Sequence, residues 1–89
     1  MKYQLFYTKK AWSDLQKLNK INARKIVIKL KYFIEQPDPF KHAKPLQGIY
    51  KNLFQFRIGD YRAIFSKDAK GIITIINIIR IEHRKNIYK

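Results

Sequence analysis

Arg57 and Arg62 lie five positions apart in "RIGDYRAIF", residues 57–65, with Gly59-Asp60 between them. Gly-Asp flanked by stretches rich in apolar residues reads as a two-residue hairpin loop, which pairs Ile58 with Tyr61 and sets Arg57 directly opposite Arg62. Like charges so placed destabilise a sheet by roughly 0.2–1 kcal/mol. An anion held between the two guanidiniums turns that cost into a gain, and a phosphate suits the geometry. The plainer reading is two solvated arginines in a chain crowded with basic residues, with Asp60 at hand to screen either.

The segment "RIEHRKNIYK" adds Arg80, His83, Arg84, Lys85, Tyr88 and Lys89 after an apolar run. In a meander the end of a neighbouring strand can bring such residues beside the Arg57/Arg62 hairpin. Histidine has an unperturbed pKa near 6.5, which makes His83 the first proton-transfer candidate. Tyr88 is the second, since tyrosine either stacks on a base or donates a proton. Taken singly, a histidine in a basic tail is more often a surface residue, and Tyr88 can simply dock the chain end. His42 has less in its favour. With two histidines, six scattered acids and no cysteine, no ligand cluster for a metal is visible and no cofactor is expected.

These residues need elements to position them. "KYQLFYT" approximately alternates and reads as a strand, with Tyr3, Leu5 and Tyr7 on one side. Thr8 is placed to cap a short helix running to about Leu18. From about Asn22 to Glu35, Ala23, Ile26, Val27, Leu30, Phe33 and Ile34 recur at helical spacing, and "QPDPF" stops that helix. A loop is expected to about Tyr50. Three strands follow in "NLFQFRI", "YRAIFSK" and "GIITIINIIRI", joined at Gly59-Asp60 and around Asp68-Ala69-Lys70-Gly71. In the first hairpin, period two puts Phe54, Phe56, Ile58, Tyr61, Ala63 and Phe65 on a core face and Gln55, Arg57, Arg62 and Ile64 on the other. The last strand is apolar on both faces, as a central strand is. The class is α+β, with an N-terminal strand, two helices and an antiparallel three-strand meander, in one domain over residues 1–89.

The chain carries 20 Lys+Arg against 6 Asp+Glu, a formal charge of +14. Self-repulsion of that size calls for a counterpart: nucleic acid first, an acidic protein second, an anionic membrane surface third. At 46% hydrophobic and 15% aromatic, the composition is that of a folded domain and not of a basic tail. No secretory or membrane-spanning run is present, because Thr74, Asn77 and Arg80 break the most apolar stretch.

"PLQG" followed by "LFQFRIGDYRAIF", an apolar strand and "HRKNIY" resembles the RelE/ParE superfamily of type II toxin–antitoxin toxins over nearly the whole chain. The resemblance to RelE-like members implies a cytoplasmic endoribonuclease that cuts mRNA at the ribosome. RNA can be cut without a metal when its own 2′-OH attacks the adjacent phosphorus, given a base, an acid for the leaving 5′-oxygen and positive charge for the crowded phosphorane; the products are then a 2′,3′-cyclic phosphate and a 5′-hydroxyl. Arg57 and Arg62 fit the charge requirement and Arg84 a phosphate contact. The resemblance also implies inhibition by an antitoxin encoded nearby, for which the charge suggests an acidic protein. By the same resemblance Arg62 corresponds to the arginine at the scissile phosphate, and Arg57 to a basic residue beside it. Tyr88 matches the C-terminal tyrosine, and His83 and Arg84 match the family's "HR". Leu53 and Gln55 stand where well-known ribosome-dependent members carry two lysines, so Lys44, Lys51 and Lys85 become the further candidates for binding RNA. The sister ParE-like toxins use this scaffold against DNA gyrase. A non-catalytic nucleic-acid-binding module and an inactive antitoxin-binding relic also remain open.

Overall fold

The computed structural model describes residues 2–83, so Arg84, Lys85 and Tyr88 lie outside the described residues. Its elements are β1 (Tyr3–Tyr7), α1 (Lys9–Gln16), α2 (Lys20–Ile34), β2 (Ala43–Pro45), β3 (Phe54–Ile58), β4 (Tyr61–Lys70) and β5 (Ile73–His83), with 3-10 turns at Pro39–His42 and Gly48–Tyr50. They form a single sheet in the order β1-β5-β4-β3-β2, in which β1 runs parallel to β5 and the other neighbours are antiparallel.

The expected α+β architecture is present, with local differences. Thr8 caps α1 as anticipated, its side chain accepting from the Ala11 N–H at 3.1 Å. Helix α2 begins two residues earlier than its apolar period suggests, because Asn19 accepts from the Asn22 N–H at 2.8 Å and satisfies an otherwise orphaned donor. The stretch expected to be a loop contains β2, which pairs with β3 at the sheet edge, where Pro45 lacks an N–H that no neighbour needs. The β4–β5 connection also lies later than expected: β4 reaches Lys70, opposite Ile73, and Gly71 takes the positive φ of +64° that the turn demands.

One face of the sheet packs on both helices. Ala11 and Leu15 from α1 and Ile26, Leu30 and Phe33 from α2 meet Phe56, Ala63, Phe65, Ile76, Ile78 and Ile81 in one buried cluster. Phe33, Phe56 and Phe65 stack in series, with centroids 4.6 and 4.5 Å apart. Each fully buried aromatic of this kind contributes roughly 1.5–3 kcal/mol of transfer free energy.

Strand β1 accompanies β5 only as far as Ile78, where the Thr8 N–H reaches the Ile78 carbonyl at 2.9 Å. Helix α1 satisfies the exposed edge beyond it. The Thr8 hydroxyl donates to the Ile79 carbonyl at 3.0 Å, and Asp14 Oδ2 accepts from the Ile81 N–H at 3.0 Å. Just there β4 and β5 slip by one residue: Ile64 pairs with Arg80 but Phe65 with Ile78, leaving Ile79 bulged. The bulge inverts the parity of β5, so that Ile76, Ile78, Ile81 and His83 share the helix side while Arg80 and Glu82 face away from it.

The Tyr7 hydroxyl is buried without a hydrogen-bond partner among the described residues, and burial pushes its pKa up to about 12. The folded chain therefore holds a proton that the unfolded chain releases above its ordinary value of about 10, and stability declines between those two pH values. Tyr7→Phe is expected to stabilise the fold by about 1 kcal/mol by removing an unpaired buried donor. It is also expected to abolish that part of the alkaline decline; urea melts of both proteins at neutral and strongly alkaline pH check this.

Candidate functional site

The Gly59-Asp60 turn produces the expected register, with Ile58 opposite Tyr61 and Arg57 opposite Arg62. Both arginines therefore project from the sheet face opposite α1 and α2, which carries no helix among the described residues. Two rows cross that face. Lys44, Gln55, Ile64 and Arg80 lie side by side on β2, β3, β4 and β5, and next to them lie Arg57, Arg62 and Glu82. Lys44 is thus brought to the arginines by a strand that was not anticipated. Lys51 is exposed just after the turn that carries Tyr50.

Arg57 and Arg62 differ sharply in environment. Arg57 is exposed, whereas Arg62 is only 7% exposed. The Arg62 guanidinium donates from Nε and Nη2 to Glu82 Oε1, at 3.3 and 3.0 Å, and from Nη1 to Gln55 Oε1 at 3.1 Å. Its Cζ lies 5.6 Å from the centre of the Tyr50 ring. The anion that offsets the cross-strand arginine pair is therefore internal, and it is Glu82 and not Asp60 that supplies it. Among the described residues, three of the five guanidinium N–H groups are committed and two remain for an incoming oxygen. Gln55 has a clear local consequence: an amide oxygen at this position accepts from Arg62, where a lysine would repel it.

The ion pairs continue along β5. Arg80 Nη2 lies 3.6 Å from Glu82 Oε2, and Arg80 Nε donates to Asp14 Oδ2 at 3.1 Å. Glu82, Arg80 and Tyr50 escaped assignment as site residues. Strict alternation from Ile76 and Ile78 would turn Arg80 and Glu82 into the core, and only the bulge brings them to Arg62.

The same bulge corrects the expectation for His83. It pairs with Tyr61, the two rings meeting edge to face at 5.0 Å, on the helix side of the sheet. There it lines a polar cleft of about 370 Å3 with Asn22, Lys25, Asp60 and Tyr61, and Asn22 Nδ2 donates to the Tyr61 hydroxyl at 3.3 Å. His83 and Arg62 thus point to opposite faces. His83→Gln is expected to leave any phosphodiester cleavage by the arginine face within about threefold of wild type, in single-turnover assays at equal protein concentration. His42 stacks on Phe33, with centroids 5.2 Å apart.

The helices present a second surface. An apolar groove of about 480 Å3 between α1 and α2 is lined by Trp12, Leu15, Leu18, Ala23, Val27 and Ile28, and Lys20 and Arg24 also line it. Trp12 and Ile28 are 53% and 61% exposed. Among the described residues no helix is long and apolar enough to cross a membrane, and no three acidic or histidine side chains gather as a metal site.

A family model described as "ParE toxin of type II toxin-antitoxin system, parDE" matches residues 5–88. The chain belongs to this toxin family. The fold agrees. The toxin–antitoxin complex RelBE2 from Mycobacterium tuberculosis is 26% identical, with 94% of this chain and 93% of that one covered at a TM-score of 0.73. The archaeal RelE–RelB complex from Pyrococcus horikoshii OT3 is 28% identical over 94% of this chain and 97% of that one, at a TM-score of 0.70. The YoeB/ParE toxin from Agrobacterium tumefaciens is 20% identical over 90% and 96% of the two chains, with a TM-score of 0.69, and shares the fold. No curated protein matches the chain significantly in sequence. The protein is therefore a type II toxin of RelE/ParE type.

Proposed function

We propose that this toxin is a cytoplasmic endoribonuclease that cuts mRNA on the ribosome and so arrests translation. The observation that carries this reading is the helix-free sheet face on which Lys44, Arg57, Arg62 and Arg80 lie together. A phosphodiester laid over Arg57 and Arg62 receives charge from both sides, and the two uncommitted Arg62 N–H groups can bind the oxygens of the phosphorane. The RNA supplies its own nucleophile in the 2′-OH, so the reaction requires no metal, and the products are a 2′,3′-cyclic phosphate and a 5′-hydroxyl. Tyr88 and Arg84 join this reading through the family resemblance, as a stacking residue and a phosphate contact, and Lys85 joins it as a further basic residue for the RNA backbone.

The exposed Arg57 contributes binding without structural cost. Arg57→Ala is expected to weaken RNA affinity evenly across sequences and to lower the slope of log affinity against log salt by about one, with the melting temperature unchanged. Filter binding at several ionic strengths checks it.

The match to the ParE family model favours a second reading, poisoning of DNA gyrase. Incubating the purified protein with translating ribosomes and mapping RNA ends decides between them. New 5′-hydroxyl ends support the ribonuclease; intact RNA together with cleaved DNA trapped on gyrase supports the poison. In either case the apolar groove between α1 and α2, with Lys20 and Arg24 beside it, suits an acidic, amphipathic antitoxin segment that folds as it binds.

A further inference from the structure

With His83 on the helix side of the sheet, Glu82 is the carboxylate that lies beside Arg62 on the arginine face among the described residues. We propose that Glu82 is the general base of this toxin, taking the proton from the attacking 2′-hydroxyl. The proposal rests on the ribonuclease reading above.

Glu82 is held in a way that suits the task. Its Oε1 accepts from both Nε and Nη2 of Arg62, which pins that oxygen against the edge of the guanidinium. Its Oε2 has only the 3.6 Å ion pair with Arg80 among the described residues, and so keeps lone pairs for a hydroxyl. The side chain is 13% exposed, so bulk water reaches little of it. A guanidinium that holds a carboxylate on one side and a phosphate on its remaining N–H groups sets the two anions side by side. A base held there lies next to the phosphate whose neighbouring 2′-OH must lose its proton.

In the step, Oε2 takes the 2′-hydroxyl proton while the oxygen's electron pair forms the O2′–P bond. The P–O5′ bond breaks, and the 5′-oxygen leaves with its pair and takes a proton from water. Glu82 returns its proton to the hydroxide so formed, and nothing else is consumed. Among the described residues, the charged groups around it are Arg62 from β4, Arg80 on its own strand and Asp14 of α1 beyond Arg80.

The test uses the full chain with translating ribosomes and an RNA whose cut site has been mapped with wild type. Glu82→Gln is expected to lower the single-turnover rate by about 100-fold or more. It is expected to bind the same RNA carrying a 2′-O-methyl group at the cut nucleotide at least as tightly as wild type does, and to lose the fall in rate toward acid pH. Cleavage by Glu82→Gln within about threefold of wild type overturns the proposal. So does an equal loss of rate and binding, which would leave Glu82 only a prop for Arg62. Should Glu82→Gln fail to fold, Glu82→Asp keeps the carboxylate one methylene short: a lowered rate with the acid-side fall retained supports the base, and a pH-independent rate overturns it. Wild-type protein that leaves RNA whole overturns the ribonuclease reading itself, a result distinct from a wild type and a glutamine variant that cleave equally.

Discussion

Arg62→Lys is expected to lower RNA cleavage by about 100-fold while leaving most of the affinity for RNA in place. Lysine preserves the charge but presents one compact ammonium in place of a planar fork. It cannot meet Glu82 and Gln55 together and still offer two donors to a phosphate. Arg62→Ala is expected to abolish cleavage and to cost about 2 kcal/mol of stability as well, because Glu82, 13% exposed, loses its closest cation. Its burial and three side-chain hydrogen bonds give Arg62 a structural part as well. Single-turnover rates and thermal melts of both variants separate the two contributions. Lysine at wild-type activity would show that only the positive charge matters at this position.

The largest expected loss of stability outside the aromatic core belongs to Asp14. This carboxylate, 8% exposed, takes the place of a neighbouring strand by accepting the buried Ile81 N–H, and it also binds Arg80. Asp14→Ala leaves a buried donor unpaired and releases Arg80, at a cost of about 3 kcal/mol. For a domain of this size that lowers the melting temperature by on the order of 15 °C. Arg80 would then be free to turn from Glu82, so cleavage should also fall at temperatures where the variant remains folded. Lys10→Ala is the control: Lys10 also pairs with Asp14, at 3.4 Å, but is 51% exposed, and its loss should cost well under about 1 kcal/mol. Similar melting temperatures for the two variants would remove Asp14 from the structural account.

What could be read from the sequence alone was what local chemistry controls. The 3.6-residue period from Ala23 to Ile34 defines a helix wherever its apolar stripe finds a partner. Gly59-Asp60 closes a tight turn, and closing it sets the register that places Arg57 opposite Arg62 and Phe56 opposite Ala63. The apolar character of β5 on both faces matched its place between β1 and β4. The family resemblance followed from the same stretches, because they are where local rules and the site coincide.

The assignment of side chains to faces near the end of β5 depended on the tertiary structure. From Ile76 and Ile78, a period of two puts Arg80 and Glu82 in the core and His83 beside the arginines. One bulged residue, Ile79, reverses all three. No residue type announces that bulge; it arises where β1 ends, α1 takes over the edge through Thr8 and Asp14, and the strand adjusts to both. The three-residue β2 was equally hidden, since its pairing partner lies on β3 and its own sequence carries a proline. Residue types and spacing therefore determined that a basic hairpin would form. Contacts between segments distant in the chain decided that a glutamate, and not the histidine, would share its face.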